Sequence, residues 1–148
     1  MLFFRKKYIF VIMIKKLSPY LAAFALTVFM ASCADEEPTP ADDRDKFVGS
    51  FTCQENSQQN GNSTFTIHVN KSASSETQIE IENFYNLGFQ NKATASVSGG
   101  NFTIASQLFS GNTISGSGSS TGSTTFTMTY YVNDGSTIDT CSATCTKQ

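Results

Sequence analysis

From Lys46 onward the chain alternates apolar and polar residues with a period of two, and this restricts the fold more than any other property of the sequence. Phe65, Ile67 and Val69 fall on one side of an extended segment while Thr64, Thr66 and His68 fall on the other. A helix needs its apolar residues three and four apart, so this spacing predicts a half-buried strand. The pattern recurs at Phe47-Gly49-Phe51-Cys53, Ile79-Ile81, Ala93-Ala95-Val97, Phe102-Ile104, around Ile114, at Phe126-Met128-Tyr130-Val132 and at Cys141-Ala143-Cys145, which makes eight segments. Leu is scarce and Thr, Ser, Asn, Gly and Phe are abundant, a composition suited to short strands and tight turns.

The separators are short. Asn60-Gly61-Asn62, Lys71 to Ser75, Asn86-Leu87-Gly88, Gly99-Gly100-Asn101, Gly111-Asn112, the Gly/Ser run from Ser115 to Ser123, and Asn133-Asp134-Gly135 carry turn chemistry. Connections of this length join antiparallel neighbours, and Ser98-Gly99-Gly100-Asn101 is the tightest of them. Eight meandering strands leave no exposed edge if they close on themselves. The expectation is therefore an all-β domain over residues 46–148, a single small eight-stranded antiparallel up-and-down barrel. Within Ile114-Ser115-Gly116-Ser117-Gly118 the glycines mark either a close approach of backbones or a flexible loop.

Residues 1–45 have another character. Lys15-Lys16 is followed by an apolar run from Leu21 to Met30 and by small residues before Cys33. Ten apolar residues are too few to span a bilayer as a helix, so the run reads as the core of a cleaved signal peptide covering 1–32. Arg5, Lys6, Lys7 and the apolar residues after them repeat the theme, so Met13 offers an alternative start. Met30-Ala31-Ser32-Cys33 resembles the lipobox of bacterial lipoproteins. That resemblance implies cleavage before Cys33 and lipid on its thiol, which would hold the protein on a membrane.

Ala34-Asp35-Glu36-Glu37-Pro38 is similar to the acidic export signal of Bacteroidota surface lipoproteins, implying display on the outer face of the outer membrane. We expect residues 33–45 to form the lipidated cysteine and a short disordered acidic tether. Of the ten basic residues five precede Cys33, whereas all twelve acidic residues follow it, so the chain beyond Cys33 is acidic. Such a balance argues against nucleic acid as a partner.

Phe47-Val48-Gly49-Ser50-Phe51, Ile114-Ser115-Gly116-Ser117-Gly118 and a last strand ending in Thr146-Lys147 together resemble the small lipocalin-like lipoproteins of the same bacteria. The resemblance implies the barrel fold and carries no activity.

Cys141 and Cys145 lie four residues apart on one predicted strand, roughly 13 Å, too far to bond each other. Barrel closure brings the first and last strands together, so Cys53 can reach one of them. An exported protein keeps such a bond. We expect a Cys53–Cys141 disulfide, with Cys145 left as a buried thiol.

Few residues suggest reactivity. His68 is the single histidine and lies on the polar face, without partners at metal-ligand spacing. Glu80 and Glu82 share one side of a strand at a separation that overlaps glycosidase carboxylate pairs, but alternation with Ile79 and Ile81 makes them the solvated face. Asn62-Ser63-Thr64, Asn70-Lys71-Ser72 and Asn101-Phe102-Thr103 match glycosylation sequons, incidental in a bacterial lipoprotein. Phe84, Tyr85, Leu87 and Phe89 break the alternation. With Tyr130 and Tyr131 they form either a partner-facing patch at a barrel mouth or an inward plug.

The sequence thus predicts no enzyme, no metal and no cofactor. It predicts a lipid-anchored envelope binding or interaction module, with an unknown macromolecular partner. A protease inhibitor or a carrier of a small apolar ligand is the alternative.

Overall fold

The computed structural model describes residues 41–148, so the expected signal peptide, Cys33 and the expected tether as far as Pro40 lie outside the described residues. The described part is a closed eight-stranded barrel in which every strand pairs antiparallel with its sequence neighbours. The strands are β1 (Gly49–Ser57), β2 (Gly61–Lys71), β3 (Gln78–Glu82), β4 (Lys92–Ser98), β5 (Asn101–Phe109), β6 (Asn112–Ser120), β7 (Thr125–Asn133) and β8 (Ile138–Lys147). β1 closes the barrel against β8. The architecture is the one the alternation predicts, and most inward residues are the apolar members of each alternating pair, with Glu55, Ser57 and Asp139 as polar exceptions.

The turn between β4 and β5 is the tight Gly99-Gly100 hairpin expected, with Gly99 at φ +60°. In the β5–β6 turn Ser110 and Gly111 both have positive φ, the twist that matches a two-residue hairpin. Two boundaries differ from the sequence reading. Ser115 to Ser120 belong to β6 rather than to a loop. The space is too small there for side chains, because a Cβ on Gly118 would sit well under 3.0 Å from the ring of Phe102, its partner across the ladder. The packed body also begins before Lys46. Asp43–Lys46 form a 3₁₀ turn, and Asp42 caps it and pairs with Arg44 and Lys71. Arg44 also donates to the carbonyl of Ser75 at 2.8 Å.

β5 carries a bulge between Ile104 and Gln107, and its ladder to β4 runs only over Ser96 to Ser98. The Gln107 amide bridges the gap. It accepts from the backbone N–H of Thr94 at 2.9 Å and donates to the Thr94 carbonyl at 2.8 Å, replacing two ladder bonds with one side chain.

The core is organised as two aromatic plugs separated by a layer of Ile, Val, Ala and Cys. At the end where the described chain begins, Phe47, Phe51, Phe102 and Phe126 meet edge to face with centroids 4.9–5.8 Å apart. At the opposite end Phe84 packs on Phe109 at 5.7 Å and on Tyr130 at 4.5 Å. Each fully buried aromatic contributes about 1.5–3 kcal/mol by burial alone.

The disulfide joins Cys53 to Cys145, not to Cys141 as the sequence reading had it. Register is the reason. Cys53 stands directly opposite Cys145 on the β1–β8 ladder with Cα atoms 4.0 Å apart, whereas Cys141 stands opposite Ser57, four residues further along β1. Cys141 is the free, buried cysteine.

Candidate functional site

The best-organised polar site lies at the end of the barrel remote from Ala41, where β1 gives way to β2 and β7 to β8. Asp139, the second residue of β8, points inward and is only 4% exposed. One carboxylate oxygen accepts from Ser57 Oγ at 2.5 Å and from Tyr85 Oη at 2.7 Å, and the other accepts from the backbone N–H of Gln59 at 3.1 Å. Asn60 Nδ2 donates to both Tyr85 Oη and Asp139. Burial opposes charge on Asp139, but the donors outweigh it and hold the carboxyl below its usual range. The same hydrogen bond and burial push the Tyr85 phenol well up.

Tyr85 reaches this position because the β3–β4 connection turns back over the barrel. Asn83, Tyr85 and Asn86 all adopt positive φ, a conformation that costs energy in residues other than glycine and persists only when surroundings fix it. Here Asn83 does so, donating to the Thr66 carbonyl and accepting from Gly88 N–H, each at 2.7 Å.

A second carboxylate lies deeper. Glu55 is 7% exposed; it accepts from Tyr130 Oη and from Ser63 Oγ. Burial raises its pKa, the Ser63 hydrogen bond lowers it, and the charge on Asp139 adds to the rise. Cys141, next along β8 from Asp139 on the inner face, is pushed up to about 12 by burial and by the Glu55 and Asp139 charges. The hydrogen bonds of this cluster satisfy its buried polar groups and tie the β1–β2 and β3–β4 connections to the start of β8. Every buried side-chain polar atom among the described residues has a partner.

The structure divides the aromatic cluster predicted from sequence. Phe84 is buried as the plug and Tyr85 is half-buried over Asp139, while Leu87 and Phe89 are exposed. Phe89 stacks on His68 with ring centroids 4.6 Å apart. His68 faces outward, 3.8 Å from Glu82. Glu80 and Glu82 share Lys92 at 3.1 and 3.2 Å on the outer face. Among the described residues no group of three metal-ligating side chains converges.

Sequence reasoning missed Leu108 and Ile138, which are 79% and 56% exposed, and left Tyr131 undistinguished from Tyr130. With Leu87 and Phe89 these are the exposed large apolar side chains among the described residues, and all five sit on the β3–β4, β5–β6 and β7–β8 connections or on the strands beside them. They therefore flank the Asp139 end. A cleft of about 430 Å³ opens there, lined by Asn60, Tyr85, Asn112, Asp134 and Asp139 among others.

No protein-family model matches the chain, and no curated protein matches it. Solved structures do match. The structure of EF1p2_mFAP2b bound to DFHBI superposes with a TM-score of 0.54 at 12% identity, covering 73% of this chain and 100% of that one. A redesigned β-barrel gives 0.56 at 11% identity, covering 74% and 97%. At such identity the likeness concerns the fold: this chain is built as a small eight-stranded β-barrel of the same architecture.

Proposed function

We propose that the protein is a non-enzymatic binding module of the bacterial cell envelope, a lipocalin-like Bacteroidota surface lipoprotein held by lipid on Cys33, that works from the outside of a packed barrel. The observation that carries this reading is the polarity of the barrel. The described chain begins at one end, where Asp43 and Lys46 grip the Gly99 backbone. The exposed apolar side chains Leu87, Phe89, Leu108, Tyr131 and Ile138 flank the other. A tether leaving Ala41 would leave that apolar rim pointing away from the membrane, and loops on a rigid scaffold are common binding elements.

The interior supports an external rather than an internal ligand. Phe102 fills the space over Gly118, and the β7 backbone at Thr129 and Tyr130 closes in on Gly116, so this part of the barrel leaves no room for a ligand. Carriage of a small apolar ligand remains the second reading. EF1p2_mFAP2b, which shares the fold, is bound to DFHBI, and the 430 Å³ cleft beside Tyr85 offers a place for a ligand.

Mild-detergent purification of the protein from its own membranes separates the two. Co-purification of a partner that is lost in Leu108→Asp and Ile138→Asp variants supports rim recognition. A small molecule seen by native mass spectrometry and released on denaturation, with no partner, would replace it with the carrier reading.

A further inference from the structure

The barrel wall carries a second surface that the rim does not explain. Across β5, β6, β7, β8, β1 and β2 the ladders align Thr103, Ser117, Thr129, Ser142, Asn56 and Asn62 into one continuous row of partners. All six are exposed. The row beside it aligns Asn101, Ser119, Thr127, Thr144, Gln54 and Thr64. Both rows consist solely of hydroxyl and amide side chains facing outward. At about 4.8 Å per strand each runs roughly 24 Å around the wall, and the rows stand about 7 Å apart.

This surface is exposed and carries no charged side chain in either row. The outward charges of β3 and β4, Glu80, Glu82 and Lys92, pair among themselves on another part of the wall. Two grooves of about 580 and 400 Å³ lie along the rows and share Thr127 and Thr129. Small side chains on β6 deepen the second. Among the described residues, the side-chain hydrogen bonding of the two rows is confined to Asn56 with Asn62. The remaining hydroxyls and amides stay free to bond a ligand. Tyr131, 45% exposed, follows Thr129 on the same face of β7 and adds one aromatic ring beside the rows.

We propose that these two rows bind a neutral glycan chain. Serine and threonine hydroxyls both donate and accept, and amides do each from a separate atom, which matches sugar hydroxyls that also do both. Tyr131 supplies a flat apolar surface for one face of a sugar ring. The alternatives fit less well. A phosphate, sulfate or uronate would meet no cation, and nucleic acid binding depends on cations. A protein partner or a second copy of the chain would need a desolvated apolar centre, and the rows contain none. The proposal rests on the reading that the protein works from its outer surface, and it adds a site along the wall that meets the apolar rim at Tyr131.

The test is affinity electrophoresis and titration of the detergent-solubilised full chain with soluble neutral polysaccharides (an α-glucan, a β-glucan, a mannan, a galactan and a xylan) beside polygalacturonate and heparin. The expected result is retention by at least one neutral polysaccharide, weakened about tenfold or more by Thr129→Glu and by Tyr131→Ala. Lys92→Gln, on the opposite wall, leaves retention unchanged. All three positions are on the outer wall, and unchanged melting temperatures show that the variants fold. Retention by none of the neutral polysaccharides, retention that survives Thr129→Glu, or retention only by the acidic polymers overturns the proposal. If the neutral polymers fail while a rim-dependent partner still co-purifies, the glycan site falls and the binding-module reading stands. If both fail, both fall.

Discussion

The ring of Phe102 stands over Gly118, its direct partner across the β5–β6 ladder, in the volume where any larger residue would place its Cβ. The pair joins the Gly/Ser character of β6 to the aromatic plug that Phe102 forms with Phe47 and Phe126. An added methyl must displace a ring held by two other rings. Gly118→Ala is therefore expected to destabilise the barrel by about 1–3 kcal/mol through overpacking, read as a lower midpoint in urea. Unchanged stability would mean that the ring has room to move. A compensating Phe102→Leu should recover part of the loss.

The register of β1 with β8 assigns the crosslink, and the cysteines can be separated by mutation. Cys145→Ser removes a bond closing 92 residues of sequence separation, for which chain entropy gives about 4–5 kcal/mol. Cys141→Ala leaves the bond intact and should cost less than half as much. Peptide mapping of the oxidised protein should yield Cys53 linked to Cys145. A peptide linking Cys53 to Cys141 would contradict the register.

Glu55 and Asp139 titrate in opposite senses. Burial raises the folded pKa of Glu55, so its effect favours the folded state at low pH and is lost as pH rises through that raised value. Replacing it with Gln keeps an acceptor for Tyr130 and removes the buried charge. Glu55→Gln is expected to be more stable than the parent at pH 7, with the advantage fading as pH falls from the raised folded value to the ordinary carboxylate range and absent below it. Equal or lower stability at pH 7 would show that the charge is stabilised in place.

Asp139 contributes the other way, because its folded pKa lies below the usual value. Its stabilisation is present above pH 3.8 and lost as pH falls through the depressed value. Tyr85→Phe removes one of its donors, the phenol 2.7 Å away. The variant should be less stable at pH 7 by about 1.5–3 kcal/mol, the range for a hydrogen bond to a charged group. The difference should shrink on acidification, and a pH-independent difference would assign the loss to packing of the ring.

Phe84 closes the Asp139 end against Phe109 and Tyr130, so Phe84→Ala should cost about 3–5 kcal/mol. Phe89→Ala, on the outer wall against His68, should change stability little. Comparable losses at the two positions would show that the β3–β4 connection packs as a single unit.

The strands were legible because alternation is a local property. The Asp139 site was less so. Ser57, Glu55 and Asp139 are polar residues on the inner face of their strands, and their proximity depends on closure of β1 against β8. Tyr130 and Tyr131 could have been told apart by parity, since Phe126, Met128 and Tyr130 share a side. Leu108 could not, because the bulge after Ile104 reverses the parity of β5 and turns Phe109 inward. The left-handed residues at Asn83, Tyr85 and Asn86 likewise place Phe84 inside, half-bury Tyr85 and leave Leu87 and Phe89 outside.

What the sequence by itself determined is the number and order of the strands, the face of most side chains outside the β5 bulge, and most of the turns that join them. A period of two fixes these residue by residue. What only the tertiary structure decided is height. Sliding a strand by two residues leaves every side chain on its original face, so alternation is silent about which residues stand opposite each other. Register came instead from turns, the β5 bulge and the fit of Phe102 over Gly118. It chose Cys145 over Cys141 for Cys53, brought Tyr85 to Asp139, and aligned the hydroxyls and amides of six strands into rows.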